Sequence, residues 1–149
     1  RAVEHTSRSV AGSGRRVVYS KGIQRVWLIE DDGTIFHTHR VSGRMDQPNY
    51  GTYTVWSRSP FTCSNLHSNI CMRWMVRFAY SRRGDNIGFH EIPRRDGVPM
   101  QSDSQLGQAL SSGCVRQKRQ KARAARGQRP FDAAPPKAWP RPLPAACAS

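Results

Sequence analysis

The N-terminal third of the chain consists of short apolar runs separated by clusters of turn-forming residues. β-Branched and aromatic side chains dominate residues 17–19 and 25–30, and Asp31-Asp32-Gly33 then supplies the turn of a hairpin. Residues 34–41 follow, with apolar and polar positions that alternate as in a half-buried strand. Residues 1–15 lack apolar periodicity and contain several glycines and serines, so we predict a flexible leader followed by a β-meander.

The middle of the chain continues this pattern of short strands. Residues 52–56 predict a strand that the polar stretch 57–60 ends, and residues 72–80 predict a strand with one strongly apolar face. Residues 87–90 form another short apolar run, while residues 104–110 predict a short helical turn. Many short strands with few helical patterns indicate a mainly β fold, either a sandwich or a barrel.

The composition changes abruptly near the C-terminus. Residues 118–126 are basic and alanine-rich, and the absence of an apolar face favours a solvated run over a basic helix. Several prolines follow Phe131, and we expect them to preclude regular structure there. The predicted organisation has three parts: a flexible leader (1–15), a folded domain (16–116) and a disordered tail (117–149).

The net charge of +14 is concentrated in the tail, where residues 115–149 alone carry +8. A positive surface attracts any polyanion, so charge by itself leaves a polyanion-binding protein open as an alternative. The sequence contains neither a basic helix with base-reading residues nor an aromatic strand of the RNA-binding type, which argues against a nucleic-acid partner. No apolar run approaches the roughly 18 residues that a membrane span requires.

A cysteine and a histidine are the candidates for covalent chemistry. A thiol attacks carbonyl groups as its thiolate, and a neighbouring imidazole is the usual means of removing its proton near neutral pH. His90 ends the run 87–90, and Cys114 follows Gly113. Because the glycine permits a sharp turn, the backbone N–H groups of Gly113 and Cys114 are candidates to stabilise an oxyanion. These residues predict an acyl-transfer site.

Two segments around these residues resemble a known signature. Residues 87–93 read Ile-Gly-Phe-His-Glu-Ile-Pro, and residues 111–116 read Ser-Ser-Gly-Cys-Val-Arg. They are similar to the L,D-transpeptidases of bacterial cell walls (the YkuD-like catalytic domain), in which a histidine is followed downstream by Ser/Thr-His-Gly-Cys-Val/Ile-Arg/Asn. The upstream segment 41–53 resembles the actinobacterial branch of this family. One departure is Ser112, which stands where the family usually has a histidine.

The resemblance covers about residues 17–116, and nothing after Arg116 matches it. In the family, the chain after the nucleophile continues into a helix and then a valine-rich strand that completes the sheet. The tail offers no such strand, so we predict a β-sandwich or barrel-like catalytic domain that lacks its closing strand. A missing strand would leave unpaired backbone groups, and aggregation is expected to follow.

The resemblance also implies roles for individual residues. Cys114 attacks the carbonyl of the third residue of a peptidoglycan stem peptide, usually meso-diaminopimelate, and D-alanine leaves; an acceptor amine then resolves the thioester into a 3-to-3 cross-link. His90 acts as general base and then acid, oriented by the backbone carbonyl of Glu91. Arg116 meets a substrate carboxylate, or else forms a surface ion pair. Ser111 holds the loop by hydrogen bonds.

The same resemblance implies an exported protein of cell-wall biogenesis and cell shape that needs no cofactor and reacts with carbapenem β-lactams. The chain begins at Arg1 without a methionine, which agrees with a signal peptide or anchor that this sequence does not include. A second hypothesis is a non-catalytic wall-binding relative, which Ser112 and the unmatched tail favour. A third is the basic polyanion-binding protein, whose binding would weaken steeply with salt.

Other cysteines and histidines allow alternative interpretations. Cys63 and Cys71 predict a short disulfide in an exported protein, but they also fit two free thiols or a metal site with His67. Cys147 has no predicted role. The histidines at positions 37 and 39 share one face of a predicted strand, and in the absence of a third ligand we interpret them as partly buried rather than metal-binding. The sequence therefore predicts no metal site.

Overall fold

In a computed structural model of the protein, residues 14–125 and 144–148 are described. The β-strands are Arg16–Ser20 (β1), Arg25–Ile29 (β2), Ile35–Arg40 (β3), Gly51–Thr54 (β4), Ser57–Cys63 (β5), Ile70–Tyr80 (β6), Asn86–Glu91 (β7), Arg94–Arg95 (β8), Val98–Pro99 (β9), Val115–Gln117 (β10) and Pro144–Ala148 (β11). A helix, Arg119–Ala125 (α1), and a 3-10 turn, Asp103–Gln105, complete the elements. The predicted mainly β fold is confirmed.

The first sheet has the strand order β3-β2-β1-β11-β4. Antiparallel pairing joins β1 to β2 and β2 to β3, as the alternating runs of the N-terminal third predict. Gly33 forms the tight turn between β2 and β3 with a φ of +85°, a conformation that glycine adopts without a steric penalty. The predicted leader lies mostly outside the described residues. Arg15, which we assigned to it, is buried and pairs with Glu30.

The second sheet has the order β10-β7-β6-β8-β9, with β5 paired to the other edge of β6. The prediction that residues 57–60 end a strand is wrong, because Ser57–Cys63 forms β5 and runs antiparallel to β6. Three hydroxyl groups of β5 accept hydrogen bonds from the guanidinium of Arg77 on β6, at 2.7–3.4 Å. Hydrogen bonds from Arg77 on β6 therefore hold β5, whose polar sequence offers few apolar contacts.

One hydrophobic core lies between the two sheets and draws on both. Its aromatic centre is Phe89, whose ring stacks on Phe78 with centroids 4.8 Å apart and meets Tyr19 edge-on at 6.3 Å. Burial of a phenylalanine side chain of this kind stabilises a fold by about 2–3 kcal/mol. The buried residues of the core are Val17, Tyr19, Val26, Leu28, Val41, Val55, Val76, Phe78, Ala79, Ile87, Phe89 and Val115. The strand that ends at the candidate base is thus anchored in the centre of the fold.

The apolar face predicted for residues 72–80 is only partly realised. Val76 and Phe78 lie in the core, as their alternation predicts. Trp74 has a φ of +60°, a left-handed conformation that interrupts the alternation of the strand. Met75 is consequently buried as well, whereas Tyr80 at the end of β6 is exposed.

Two predictions about the tail are wrong. Residues 119–125 form α1 rather than a solvated run, and within it Ala122 is fully buried and provides an apolar contact. Residues 144–148 form a strand, β11, that pairs with β1 and β4, whereas we expected no strand in the tail. Its proline is the first residue of the strand, where a missing N–H is tolerated. Residues 126–143 and 149 lie outside the described residues.

The remaining local predictions concern the disulfide and the helical turn. Cys63 and Cys71 form a disulfide across β5 and β6, which leaves neither sulfur available as a metal ligand with His67. The helical turn predicted near residues 104–110 is the 3-10 turn Asp103–Gln105. Cys147 lies in β11, paired with Gly51. Within the described part of the chain, no helix has the length and apolar character needed to cross a membrane.

Candidate active site

The candidate base lies on one of two parallel strands, and the candidate nucleophile directly precedes the other. β10 runs parallel to β7, with Val115 beside Phe89 and Arg116 beside His90. Because successive side chains of a strand point to opposite faces, and Val115 and Phe89 belong to the core, Arg116 and His90 share the other face. Cys114 immediately precedes β10, and its Sγ contacts the backbone carbonyl of Asn86 at the start of β7. The charge of Arg116 affects the pKa values of both Cys114 and His90, in keeping with this proximity.

Gly88 makes room for this arrangement in the middle of β7. A Cβ atom at this position would lie 2.4 Å from the carbonyl oxygen of Val76 and 2.9 Å from the Met75 side chain, closer than real contacts allow. The backbone of Gly88 also forms a hydrogen bond with Cys114 that favours the thiolate. The glycine of the segment 87–90 is therefore required by packing and contributes to the environment of the nucleophile.

The turn before Cys114 is closed by the hydroxyl group of Ser111. This hydroxyl donates to the carbonyl oxygen of Cys114 and accepts the N–H of Gly113 at 3.1 Å. The N–H of Ser111 in turn donates to the carbonyl oxygen of Gly43 at 3.0 Å. The N–H of Gly113, a predicted oxyanion donor, is thus bound to Ser111 in this structure, and its role in stabilising an oxyanion stays a prediction.

The side chain of Ser112 is exposed. Its backbone carbonyl, by contrast, is held by hydrogen bonds. That carbonyl accepts hydrogen bonds from Gln47 Nε2 at 3.1 Å and from Arg44 Nη1 at 3.4 Å. Sequence reasoning missed both partners, since they lie more than 60 positions upstream in a polar turn with no apolar pattern. The turn is held from outside through its backbone, whichever side chain stands at position 112.

His90 is buried and has a defined tautomer. Its Nδ1 lies 2.5 Å from the carbonyl oxygen of Glu91, and because a carbonyl only accepts, Nδ1 carries the proton. Nε2 of the neutral ring is then left with its lone pair. Burial lowers the pKa of His90 to about 4, and the charges of Arg116 and Arg77 act in the same direction. His90 is thus neutral at pH 7, the state that a general base requires.

Cys114 is a neutral thiol at rest. Its Sγ donates to the carbonyl oxygen of Asn86 at 3.3 Å. Burial raises the pKa of Cys114 to about 11, although the hydrogen bond from Gly88 and the charges of Arg116 and Arg77 oppose the increase. The resting pair is therefore thiol and imidazole rather than thiolate and imidazolium. Deprotonation of Cys114 must accompany the attack on a substrate.

The carboxylate of Glu91 connects the site to β6 and α1, a role that the sequence did not reveal. It accepts the backbone N–H of Arg73 at 3.0 Å and pairs with Arg119 Nε at 3.5 Å. Glu91 itself is buried. The residue that orients His90 through its backbone therefore joins β6, β7 and α1 through its side chain. The first turn of the tail consequently supports the site.

Arg116 is held by a neutral side chain. Its Nη1 donates to Gln101 Oε1 at 3.0 Å, and Gln101 Nε2 donates to Ser42 Oγ at 2.9 Å. Among the described residues no carboxylate forms an ion pair with Arg116, so the surface ion pair that we considered is absent there. Gln101 also lines an open pocket of about 390 Å³, together with Glu91, Ser102 and Arg119.

The two histidines of β3 lie away from this face. Their rings are adjacent, with centroids 5.3 Å apart, and His39 Nε2 lies 2.5 Å from Gln117 Oε1. His39 is buried and His37 is half-buried. Within residues 14–125 and 144–148, no group of three or more histidine, cysteine or acidic side chains is arranged to hold a metal ion. Through Gln117, His39 contacts β10, whereas His37 stacks beside it.

Comparison with known proteins identifies a family. A family model described as the L,D-transpeptidase catalytic domain (YkuD) matches residues 14–126. The match extends ten residues beyond Arg116, so our statement that nothing after that residue resembles the family is wrong. No curated protein sequence matches the chain.

Solved structures share the fold at low sequence identity. An L,D-transpeptidase from Mycobacterium smegmatis is 14% identical with a TM-score of 0.66, and the match covers 93% of this chain and 60% of that one. A fused Zn-dependent amidase/peptidase/peptidoglycan-binding domain-containing protein from Clostridium acetobutylicum is 15% identical, with a TM-score of 0.66 and coverages of 99% and 58%. L,D-transpeptidase 3 from Mycobacterium tuberculosis, solved with a faropenem-derived adduct, is 16% identical, with a TM-score of 0.58 and coverages of 93% and 61%. The chain spans about 60% of the length of these proteins.

Proposed function

The chain belongs to the L,D-transpeptidase catalytic domain family, and from that premise we propose that it is a cysteine-dependent transpeptidase acting on peptidoglycan stem peptides. The observation that carries the proposal is the arrangement of His90 and Cys114. His90 lies on β7, Cys114 directly precedes the parallel strand β10 and its Sγ contacts the backbone of Asn86 on β7, and the bond from His90 Nδ1 to the Glu91 carbonyl leaves Nε2 as a proton acceptor. A buried neutral base and a thiol held at the same strand are what acyl transfer to sulfur requires.

The proposed reaction begins with a coupled proton transfer. As the thiol of Cys114 leaves its hydrogen bond to Asn86, His90 Nε2 takes the proton and the sulfur attacks the carbonyl of the third stem-peptide residue. The resulting oxyanion is stabilised by the backbone N–H of Cys114. His90 then returns the proton to the amine of the leaving D-alanine, and a thioester remains on Cys114. An acceptor amine, deprotonated by His90, attacks this thioester and regenerates the thiol.

Arg116 is proposed to bind a carboxylate of the donor peptide. A planar guanidinium matches a carboxylate bidentately, and Arg116 stands two residues from the nucleophile, beside His90. The protein is further proposed to act outside the cytoplasm, at the cell wall, because its substrate is found there. Neither a metal nor an organic cofactor takes part in these steps.

Covalent labelling by a carbapenem tests the proposal. A structural neighbour in the L,D-transpeptidase family was solved in complex with imipenem, a carbapenem, and we expect this chain to gain the mass of one carbapenem. Intact-mass measurement of the wild-type protein should show this increase, whereas Cys114→Ala should show none and retain a cooperative thermal transition. A carbapenem adduct on the Cys114→Ala protein would contradict the proposed nucleophile. The matched control is Cys147→Ala, which should label as fast as the wild type.

A non-catalytic wall-binding relative is the second candidate function. The observation that favours it is the thiol of Cys114, whose pKa burial raises to about 11 and which donates to a backbone carbonyl. Such a protein would bind stem peptides but would form no thioester. Binding of peptide by a wild-type protein that resists carbapenem labelling would support this alternative.

A further inference from the structure

Two aromatic rings lie stacked on the surface of the second sheet. Trp56 precedes β5, and its ring stacks on that of Tyr80 at the end of β6, with centroids 5.2 Å apart and an interplanar angle of 18°. The two residues, which we call the aromatic platform, are 46% and 61% exposed. Phe78 and Phe89 stack in a similar way, but inside the core. The platform therefore keeps a contiguous apolar surface in contact with solvent, a common feature of binding sites.

The aromatic platform lies on the same face of the sheet as the candidate base. Ile87 of β7 and its partner Ala79 of β6 belong to the core. Because successive side chains of a strand alternate and paired residues share a face, the next pair, Asn86 and Tyr80, points to the opposite side. His90, four residues after Asn86 on β7, points to that side as well.

The aromatic platform also stands close to the nucleophile. Tyr80 is the antiparallel partner of Asn86, and the carbonyl oxygen of Asn86 accepts the thiol of Cys114 at 3.3 Å. The backbone N–H of Trp56 donates to the carbonyl oxygen of Arg77 on β6 at 3.1 Å, which places Trp56 one strand beyond Tyr80. Since neighbouring strands are roughly 5 Å apart, the platform extends roughly 5–10 Å from the point that Cys114 contacts.

The platform and Arg116 lie in different directions from the nucleophile. Arg116 is level with His90 on one side of β7, whereas Tyr80 is level with Asn86 on the other side. A donor whose leaving residue extends towards Arg116 consequently directs the other part of its stem peptide away from that arginine. This other part, on the acyl side of the scissile carbonyl, runs towards the aromatic platform.

A pyranose ring is the ligand that suits such a platform. Sugars present a face of C–H groups that packs on aromatic rings, while the hydroxyl groups at the rim stay hydrated. In peptidoglycan the stem peptide is attached to an N-acetylated sugar, three residues before the carbonyl that Cys114 is proposed to attack. Three extended residues span at most about 11 Å. A donor bound at Cys114 can therefore reach the platform with its sugar.

We propose that Trp56 and Tyr80 form a subsite for the N-acetylated sugar that carries the donor stem peptide, so that the protein prefers donors attached to glycan over free peptides. This inference rests on the proposed function, since it adds the glycan part to the substrate of that reaction. The two rings do not contact the reacting atoms. They determine which donors bind.

Binding to the Cys114→Ala protein tests the subsite without turnover. Isothermal titration compares a stem tetrapeptide with the same tetrapeptide attached to the disaccharide of N-acetylglucosamine and N-acetylmuramic acid. We expect the disaccharide form to bind roughly tenfold more tightly, the effect of a well-packed aromatic contact. Adding Trp56→Ala should bring this ratio close to one. Equal binding of the two ligands by the parent protein would overturn the inference.

Further variants in the same background separate the role of the rings from a general loss of structure. Tyr80→Ala should lower the ratio by roughly threefold or more, whereas Tyr80→Phe keeps the stacked ring and should preserve it. Phe61→Ala is the matched control, because Phe61 is an exposed aromatic residue of β5 whose ring meets the guanidinium of Arg73. An unchanged ratio in the two alanine variants of the platform, or an equal loss in Phe61→Ala, would refute the subsite.

An oligosaccharide of N-acetylglucosamine distinguishes failure of the inference from failure of the proposed function. It should bind the wild type and bind Trp56→Ala roughly tenfold less tightly. Should the wild type form a carbapenem adduct while sugar binding does not depend on Trp56, only the subsite is wrong. Should sugar binding depend on Trp56 while the wild type never becomes acylated, the transpeptidase proposal is wrong and the subsite stands. Self-association that Trp56→Ala abolishes without changing sugar affinity, measured by sedimentation, would assign the platform to a second copy and overturn the inference.

Discussion

His39 and His90 are alike in burial and different in their neighbours. Both lie on strands, and burial lowers the pKa of each to about 4. His39 Nε2 is bonded to the side chain of Gln117, and its Nδ1 has no partner among the described residues. His90 is bonded to the adjacent backbone carbonyl and lies on the strand that Cys114 contacts. A strongly lowered pKa therefore marks burial in both cases, and only the surroundings of His90 indicate catalysis.

The two histidines contact the same short strand from different sides. Arg116 of β10 pairs with His90, and Gln117, the next residue, meets His39. Alternation along the strand explains this, since successive side chains point to opposite faces. We interpret His39 as support for β10 and His90 as the base that acts beside it. Substitutions at the two positions should consequently separate stability from activity.

The largest expected difference is in acylation. His90→Gln removes the proton acceptor, and carbapenem acylation of Cys114 should slow by on the order of 100-fold or more. His39→Gln keeps a polar side chain beside Gln117, and its acylation rate should stay within roughly threefold of the wild type. Time-resolved intact mass measures both rates. Similar losses of acylation rate in the two variants would show that His90 contributes no more to acylation than His39 does.

A second prediction concerns the neutral resting state of the pair. Because burial raises the pKa of Cys114 to about 11, alkylation by iodoacetamide at pH 7 should be roughly 100-fold slower than for an exposed thiol. The rate should then rise about tenfold per pH unit without a plateau below pH 10. A plateau near pH 7 would instead reveal a preformed thiolate. His90→Gln should leave this profile unchanged, since burial rather than the imidazole sets it.

A third prediction is that the two histidines contribute equally to the pH dependence of the free energy of unfolding. Each has its pKa lowered from 6.5 to about 4, so the folded state disfavours their protonation. The stability this provides is complete above pH 6.5 and is lost as the pH falls towards 4, by on the order of 3 kcal/mol for each group.

Urea unfolding at pH 7 and pH 4 measures this loss. His39→Leu and His90→Leu should each show a smaller difference between the two pH values than the wild type. His67→Leu, at an exposed position, provides the control and should match the wild type. A wild-type unfolding free energy that is the same at both pH values would contradict the assignment of buried neutral imidazoles.

The smallest expected effect is at position 112. A histidine there would add a donor beside the thiol, so Ser112→His should accelerate acylation relative to the wild type. Because the side chain is exposed, we expect a gain of no more than roughly threefold. Stopped-flow measurement of carbapenem acylation resolves such a difference. Equal rates would show that the serine is harmless, whereas a gain of two orders of magnitude would place position 112 in the catalytic machinery.

Local patterns predicted the strands that pack against the core, because apolar alternation reports burial directly. They failed for β5, where Arg77 from the neighbouring strand binds hydroxyl groups that read as a turn. They also failed for α1, which is held by long-range contacts such as the Arg119–Glu91 ion pair, and for β11, which pairs with β1 through its backbone. The pattern of a few neighbouring residues does not determine how strands align or which distant residues they contact.

The same limit applies to the site. His90 and Cys114 were found from the chemistry of their residue types and from the glycines beside them. Gln101 was not found, because an isolated glutamine has no signature until the fold brings it to Arg116, and the resemblance of the segment around Ser42 did not reveal that its hydroxyl accepts from Gln101. Asn86 contacts Cys114 through its backbone carbonyl, which any residue would provide. Sequence thus indicated the candidate reactive groups, and the structure identified the residues that contact them.

The most direct test of the account is detection of the acyl-enzyme with its own proposed substrate. The wild-type protein is mixed with a stem tetrapeptide, quenched in acid, and analysed by intact mass and peptide mapping. We predict an increase equal to the tetrapeptide less D-alanine, attached to Cys114 as a thioester and absent from the Cys114→Ala and His90→Gln proteins. A wild type that forms no adduct, or an adduct on another residue, would contradict the central claim that Cys114 is the nucleophile and His90 its base.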